Sequence, residues 1–230
     1  MEYLEYERIL SAKRMQRYKD AADGDTRKAM ALYRYNLRLS QEMFTIVSCF
    51  EVALRNAIDS LLVPSLGGNW LKDSVQDNGI FSNGRMNETR KIIEKAYNRL
   101  NRQGIYSHSK LIAEMEFGVW KYMYSSLQYR ATGQCLLRAF PNKPRSSAAV
   151  QYNNAYIFNE LDKVNSLRNR IAHHEPICFR LHASEIDTSY IVNEYQKIQT
   201  LFSWMGIDSR SMLYGLDHVQ NVCSKINALK

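Results

Sequence analysis

The sequence predicts an all-α fold, a helical bundle with one very long helix and a loop-rich insert. Apolar residues recur at steps of three and four over long stretches, which is the spacing of one buried helix face. The 230 residues include only 10 glycines and 4 prolines, too few for the many tight turns of an all-β protein. No stretch shows the alternation of a half-buried strand. The length fits a single domain over residues 1–230.

The first half of the chain predicts two helices. A short helix is expected from about Tyr3 to Ala21, and residues 23–26 are expected to form a loop that ends in a helix N-cap. The next helix is expected to run from Thr26 to Pro64, where proline stops it, and at 1.5 Å per residue it spans roughly 57 Å. Its apolar stripe consists of Leu32, Tyr35, Leu39, Met43, Ile46, Phe50, Leu54, Ala57 and Leu61.

Three further segments follow. Residues 64–84 form the loop-rich insert, with three glycine-containing turn signals. Residues 85–145 form a basic segment with one helix from Arg85 to Arg102 and another from about Ser109 to Ser126. Residues 148–230 hold the C-terminal helices. The first is expected from about Ala148 to His173, and two amphipathic helices finish the chain.

The charge of the chain is concentrated in one place. Residues 85–145 contain 12 basic and 4 acidic side chains, a difference equal to the whole net charge of +8. A local basic excess is typical of a surface that binds a phosphate backbone, although a solvated helix face has the same composition. The candidate RNA-binding residues are Arg90, Lys91, Lys95, Arg99, Arg102, Lys110, Lys121 and Arg130.

The composition also indicates a cytoplasmic protein without a membrane span. The most apolar long window, residues 43–63, is interrupted by Glu51, Arg55 and Asp59 at steps of four, which places a polar stripe on the helix. The N-terminus lacks the apolar run of a secretion signal. The four cysteines are widely separated, so we expect reduced thiols and neither a disulfide framework nor a zinc site.

The stretch RNRIAHHEP, residues 168–176, contains the candidate catalytic groups. Pro176 disfavours helical geometry at the residue before it, so the helix should end near His173. Arg168 offers a planar fork of donors that fits phosphate, and an imidazole exchanges protons near neutral pH. Arg168 and His173 differ by five positions, about 140° around an ideal helix. The site therefore needs either an unwound helix end or a second copy of the chain.

Two alternatives to a catalytic site remain open for these residues. The cluster has the composition of a solvated helix end that caps backbone carbonyls. The second alternative is a metal site built from His173, His174, Glu175 and His182, but adjacent histidines point to different sides of a helix and no HExxH spacing occurs. We therefore predict no metal and no cofactor.

Four segments in order resemble a known family. The segments are ALYRYNLRLS (31–40), FEVALRNAI (50–58), FGVW (117–120) and LRNRIAHHEP (167–176). The last has the R-x4-H signature of the HEPN superfamily, with Asn169 directly after Arg168. The order of the four is similar to that of abortive-infection (Abi) proteins of the AbiD/AbiF type, and the likeness covers about residues 5–205.

The resemblance implies a HEPN-type helical bundle and a metal-independent endoribonuclease of bacterial antiphage defence. It implies that His173 is the acid and base, Arg168 the phosphate clamp and Asn169 the orienting group. It also implies a homodimer whose composite active site cleaves RNA by 2′-OH attack and leaves a 2′,3′-cyclic phosphate. Expected supporting residues are Arg170, His174, Glu175, Glu51, Arg55 and Asn56.

Each of these roles has a structural alternative. Glu51 and Arg55 have the spacing of an ion ladder on the long helix, and the aromatic residues of FGVW have the spacing of a core helix. A non-catalytic RNA-binding or dimerisation module of a defence or toxin–antitoxin system is the alternative function. A toxin that an antitoxin or other regulatory partner holds inactive is the third hypothesis.

Overall fold

The structure, a computed structural model that describes residues 2–230, is built from α-helices. The prediction of an all-α fold is confirmed, since no strand occurs in this part of the chain and one bridge pairs Phe179 with Ile186. Two short 3-10 turns, Gly84–Met86 and Leu136–Ala139, supplement the helices. The α-helices are α1 (Tyr3–Leu10), α2 (Ala12–Asp20), α3 (Thr26–Leu66), α4 (Trp70–Asp73), α5 (Asn87–Arg102), α6 (His108–Glu114), α7 (Phe117–Tyr122), α8 (Ser126–Ala131), α9 (Asn154–Ala172), α10 (Ser189–Trp204), α11 (Ser209–Met212) and α12 (Val219–Asn227).

The very long helix is present as α3, with 41 residues and a length of about 62 Å. Asp25 caps its first turn, since its carboxylate accepts hydrogen bonds from the backbone N–H groups of Arg27 at 2.8 Å and Lys28 at 3.1 Å. The prediction that Pro64 stops the helix was wrong, because Pro64 lies inside its last turn. The helix ends at Leu66, and Gly67 follows it with a φ of 89°, a conformation that favours glycine, while its N–H donates to the carbonyl of Val63 at 2.9 Å.

The single helix expected over residues 3–21 is two helices. Ser11 lies between α1 and α2 with a φ of 77°, a left-handed conformation that ends one helix. Its hydroxyl then accepts a hydrogen bond from the N–H of Arg14 at 3.3 Å and caps the next helix. No glycine or proline marks this break.

The helix expected over residues 109–126 is also broken. Met115 and Glu116 adopt extended backbone between α6 and α7. Met115 and Phe117 are both buried, and an extended pair of residues turns both side chains into the core. Burial at this point outweighs local helix propensity.

The helix that carries the RNRIAHHEP stretch begins later than expected, at Asn154. In the segment before Asn154, two serine hydroxyls accept hydrogen bonds from backbone N–H groups and so compete with helix formation. Ser146 accepts from the N–H of Tyr152 at 2.9 Å, and Ser147 accepts from the N–H of Val150 at 3.2 Å. Near the C-terminus, the last of the expected amphipathic helices has its apolar positions from Met212 to Ile226. Gly215, with a φ of 75°, lies between α11 and α12 and divides this expected helix in two.

The chain separates into two compact units. The first unit comprises Met1–Ser48, Ser166–Thr200 and Asp208–Lys230, and the second comprises Cys49–Asn165 and Leu201–Ile207. In the core of the first unit, the ring of Tyr18 lies 5.1 Å from the rings of both Tyr33 and Phe179. In the core of the second, Phe50 packs on Phe202 at 5.2 Å and on Phe117 at 6.3 Å.

The insert at residues 64–84 is more ordered than its turn signals suggest. It contains α4, and Trp70, Leu71 and Phe81 are buried. The indole N–H of Trp70 donates to Asp59 at 2.7 Å. Within residues 2–230, no helix combines the length and the apolar character that crossing a membrane requires.

Candidate functional site

The RNRIAHHEP stretch ends α9 in a Schellman motif. His174 has a φ of 55°, the left-handed conformation that usually belongs to glycine at this position. Its N–H bonds the carbonyl of Ile171 at 3.0 Å, and the N–H of Glu175 bonds the carbonyl of Arg170 at 2.9 Å. These bonds satisfy two terminal carbonyls. The prediction of a helix end near His173 is therefore confirmed, since α9 ends at Ala172.

The last turn of α9 and the residue after it carry the three candidate catalytic residues. Ile171 and Leu167 are buried, Arg168 and Asn169 are half-buried, and His173 is exposed. The Arg168 guanidinium turns towards its neighbour, and its Nη1 lies 3.4 Å from Oδ1 of Asn169, a long hydrogen bond. The structure thus brings Arg168 and Asn169 together and leaves His173 exposed directly after the helix.

The side chain of Arg170 forms hydrogen bonds with the segment that follows α9. Its Nε donates to the carboxylate of Glu175 at 3.2 Å and its Nη2 donates to the carbonyl of Pro176 at 3.0 Å. Its guanidinium also lies 5.1 Å from the ring of Tyr190, whose pKa is raised by burial. With 18% of its side chain exposed, Arg170 holds the turn beside His173 in place. The carboxylate of Glu175 accepts one of the hydrogen bonds by which Arg170 holds this turn.

Two further side chains position the site, and neither was assigned a role from the sequence. Nη1 of Arg14 donates to the carbonyl of His174 at 2.9 Å. Oδ1 of Asn36 accepts from the N–H of Ile177 at 2.8 Å and from that of Cys178 at 3.2 Å. Asn36 lies in the segment ALYRYNLRLS, and its buried amide fixes the backbone directly after the turn.

A second basic residue of α2 supports the same chain segment. Arg17 donates through Nε to the carbonyl of Ala183 at 3.1 Å and through Nη2 to that of Arg180 at 3.0 Å. Its guanidinium lies 4.7 Å from the ring centroid of Phe179. Side chains from α2 and α3 therefore tie down residues 174–183. The only sequence signal for Asn36 was its place in the family-like segment, and Arg14 and Arg17 gave none.

A comparison with protein-family models identifies the family of this protein. The family model described as Abi-like protein matches residues 2–178. The chain belongs to the Abi-like protein family. Membership indicates a part in abortive-infection defence. The matched region ends at Cys178, where Asn36 binds the backbone after the turn. No curated protein and no solved structure matches the chain significantly.

In this Abi-like protein the other family-like segments lie mainly in the second unit. Phe117 and Trp120 of FGVW are fully buried, so they form core and do not face a ligand. Asn56 is exposed on α3, whereas Glu51 and Arg55 are half-buried, and Nε of Arg55 is buried without a hydrogen-bond partner among residues 2–230. That Glu51, Arg55 and Asn56 border the catalytic residues stays a prediction.

The basic residues of the Abi-like chain differ in how far their charges are compensated. Arg90 pairs with Glu94 at 2.7 Å, Lys91 pairs with Glu88 at 3.2 Å, and Arg99 pairs with Glu114. Among the candidate RNA-binding residues, those that are exposed and make no ion pair within the described chain are Lys95, Arg102, Lys110 and Arg130. RNA binding by this set stays a prediction.

Lys121 does not lie on the basic surface expected from the sequence. Its side chain is 8% exposed, and its ammonium pairs with Asp162 at 2.8 Å and lies 4.4 Å from the ring of Tyr122. Lys121 is therefore a buried structural residue of the second unit. In the described part of the Abi-like chain, no three His, Cys, Asp or Glu side chains cluster as metal ligands would.

Proposed function

We propose that this Abi-like protein is an endoribonuclease effector of abortive-infection defence that cleaves RNA without a metal ion. The observation that carries the proposal is the surface of α9, where a guanidinium, an amide and an exposed imidazole lie at a helix end held by Arg14, Arg170 and Asn36. These are the groups that phosphate-ester chemistry uses: donors for the phosphate oxygens and a proton carrier. The family membership supplies the defence context.

The reaction uses the nucleophile that RNA itself provides. The imidazole of His173 accepts the proton of the ribose 2′-OH, and the oxygen attacks the adjacent phosphorus. The bond from phosphorus to the 5′-oxygen breaks, and that oxygen leaves with a proton from an acid. The products are a 2′,3′-cyclic phosphate and a 5′-hydroxyl. Arg168 stabilises the negative charge on the non-bridging oxygens, and Asn169 orients the guanidinium.

A second copy of the chain completes this site. Arg168 and His173 differ by five positions, which is about 140° around one helix. The guanidinium of Arg168 contacts Asn169. A two-fold axis beside α9 brings His173 of the partner subunit towards the first Arg168. One imidazole then acts as the base and the other as the acid. The homodimer is thus part of the proposed mechanism.

A non-catalytic RNA-binding module is the second candidate. The imidazoles of His173 and His174 make no hydrogen bond within residues 2–230, whereas a catalytic histidine is usually oriented by a third group. This observation favours binding without turnover. The two candidates predict different behaviour for the same variant.

The deciding experiment compares purified wild type with His173→Ala on labelled single-stranded RNA in EDTA. Proton transfer of this kind contributes about 10²–10⁴-fold, so His173→Ala should lose at least about 100-fold in rate while it still binds RNA. The matched control is His218→Ala, which removes another imidazole of the first unit. Mass spectrometry should find a cyclic phosphate on the products.

Two outcomes reject the proposal. Equal cleavage by His173→Ala, or cleavage that appears only with added divalent cations, contradicts the mechanism. RNA binding by every variant without turnover in any of them favours the binding module.

A further inference from the structure

The second unit contains an elongated groove that includes none of the proposed catalytic residues. The groove has a volume of about 720 Å³ and lies between α5 and the α6–α7 segment. One face of α5 lines it from the first turn to the last, and 16 residues of helix extend about 24 Å. We propose that this groove binds a single amphipathic α-helix of a partner protein, with an apolar stripe and acidic flanks.

The walls of the groove expose large apolar side chains. Ile92 on α5 is 48% exposed, and Tyr122 on α7 is 47% exposed. Both line the groove, above a floor to which buried Ala96, Met115 and Val119 contribute. Apolar groups gathered in a concave surface are the usual mark of a binding site. An apolar helix face laid into this groove would remove both walls from water.

Gly118 gives an independent reason to expect a ligand. It lies inside α7, where glycine is unfavourable, and it has no positive φ. A Cβ built at this position would meet no atom within 4 Å. Internal packing therefore does not require glycine. Because Gly118 lines the groove, its missing side chain leaves room for a close approach by a helix in the groove.

The charge around the groove specifies an acidic partner. Arg85, Lys95 and Arg102 line it, are exposed, and make no ion pair within residues 2–230. The carboxylates of the groove are largely occupied, since Glu88 pairs with Lys91 and Glu114 pairs with Arg99. An uncompensated positive rim attracts carboxylates of a ligand and accelerates its association.

The same lining favours a polypeptide over RNA. Single-stranded RNA binds mainly by stacking on a series of aromatic rings, and Tyr122 is the one aromatic side chain among the lining residues. An amphipathic helix satisfies the apolar floor and the mixed rim together.

Two labelled 16-residue helical peptides test the proposal by fluorescence anisotropy with the full chain. Both carry leucines at helical spacing, and the remaining exposed positions are glutamate in one peptide and lysine in the other. A single-stranded RNA oligonucleotide is the third probe. The groove variants are Gly118→Leu, which fills the space, and the pair Lys95→Glu with Arg102→Glu. The matched control reverses the exposed charges of Lys110 and Arg130, which lie outside the groove.

The glutamate peptide should bind saturably, and the lysine peptide should bind at least about tenfold more weakly. Gly118→Leu and the charge reversal in the groove should each weaken binding of the glutamate peptide about tenfold or more, and the control should change it less than about twofold. Gly118→Ala should fold and melt at or above the wild-type temperature, which shows that position 118 tolerates a side chain.

Three results overturn the proposal. The first is no saturable binding of the glutamate peptide, and the second is binding that the groove variants leave unchanged. The third is RNA binding that the groove variants abolish while peptide binding persists, which makes the groove a nucleic-acid site. Loss of RNA cleavage by His173→Ala does not enter this test, so the two proposals fail separately.

Discussion

Asn36 connects the long helix to the chain that follows the candidate catalytic residues. Its Oδ1 accepts two backbone hydrogen bonds, from Ile177 and Cys178, at 2.8 and 3.2 Å. Asn36 is 3% exposed, and Ile177 and Cys178 are fully buried. Water therefore cannot replace the amide oxygen. We expect Asn36→Leu, which keeps the branched shape of the side chain and removes the acceptor, to destabilise the protein strongly.

The size of the effect follows from the two N–H groups left behind. A buried donor without a partner costs about 1–3 kcal/mol, so the two together lower the free energy of unfolding by about 2–6 kcal/mol. A domain of ordinary stability has about 5–15 kcal/mol in total. Asn36→Ala should lose at least as much, since it also leaves a small cavity. The loss should be concentrated at residues 174–183, next to His173.

Urea denaturation followed by circular dichroism measures the free energy of unfolding, and hydrogen exchange measures the local effect. The amides of Ile177 and Cys178 should exchange faster in Asn36→Leu than in wild type. Asn56→Ala is the matched control, since it removes an exposed asparagine from the same helix and should change stability by less than about 0.5 kcal/mol. An Asn36→Leu protein within about 0.5 kcal/mol of wild type, with unchanged exchange, would refute the reasoning.

Two other predictions follow from burial. Lys121→Ala should lower the free energy of unfolding by about 1–3 kcal/mol because it removes the packing of a buried side chain and its ion pair with the half-exposed Asp162, whereas Lys110→Ala should change it by less than about 0.5 kcal/mol. Weaker RNA binding by Lys121→Ala at unchanged melting temperature would contradict this assignment. Burial raises the pKa of the Cys178 thiol from its ordinary value near 9 to about 12. The buried, protonated Cys178 thiol therefore makes its full contribution to stability below pH 9, and this contribution is lost as the pH rises towards 12. Urea titrations should show that the free energy of unfolding falls less between pH 8 and pH 10.5 in Cys178→Ala than in wild type. An equal fall in both proteins would contradict this role of the Cys178 thiol.

Periodicity along the chain was enough to predict the all-α class, the long helix and the end of α9. Apolar residues at steps of three and four define a buried face wherever the rest of the chain lies, and Pro176 acts on its immediate neighbour. The same local reasoning placed Asn169 and His173, four positions apart, on one helix face, because helical spacing alone sets their angles. It also revealed the 140° separation that calls for a second subunit.

The features that the sequence did not reveal depend on residues far apart in the chain. The helix breaks at Ser11 and Met115 have no glycine or proline, and burial of neighbouring side chains sets the second of them. Lys121 has the composition of a solvated cation, yet Asp162 lies 41 positions away and neutralises it. Asn36 acts across 141 positions. Periodicity and propensity describe a residue and its near neighbours, whereas burial and hydrogen bonding depend on which distant backbone groups the fold brings alongside it.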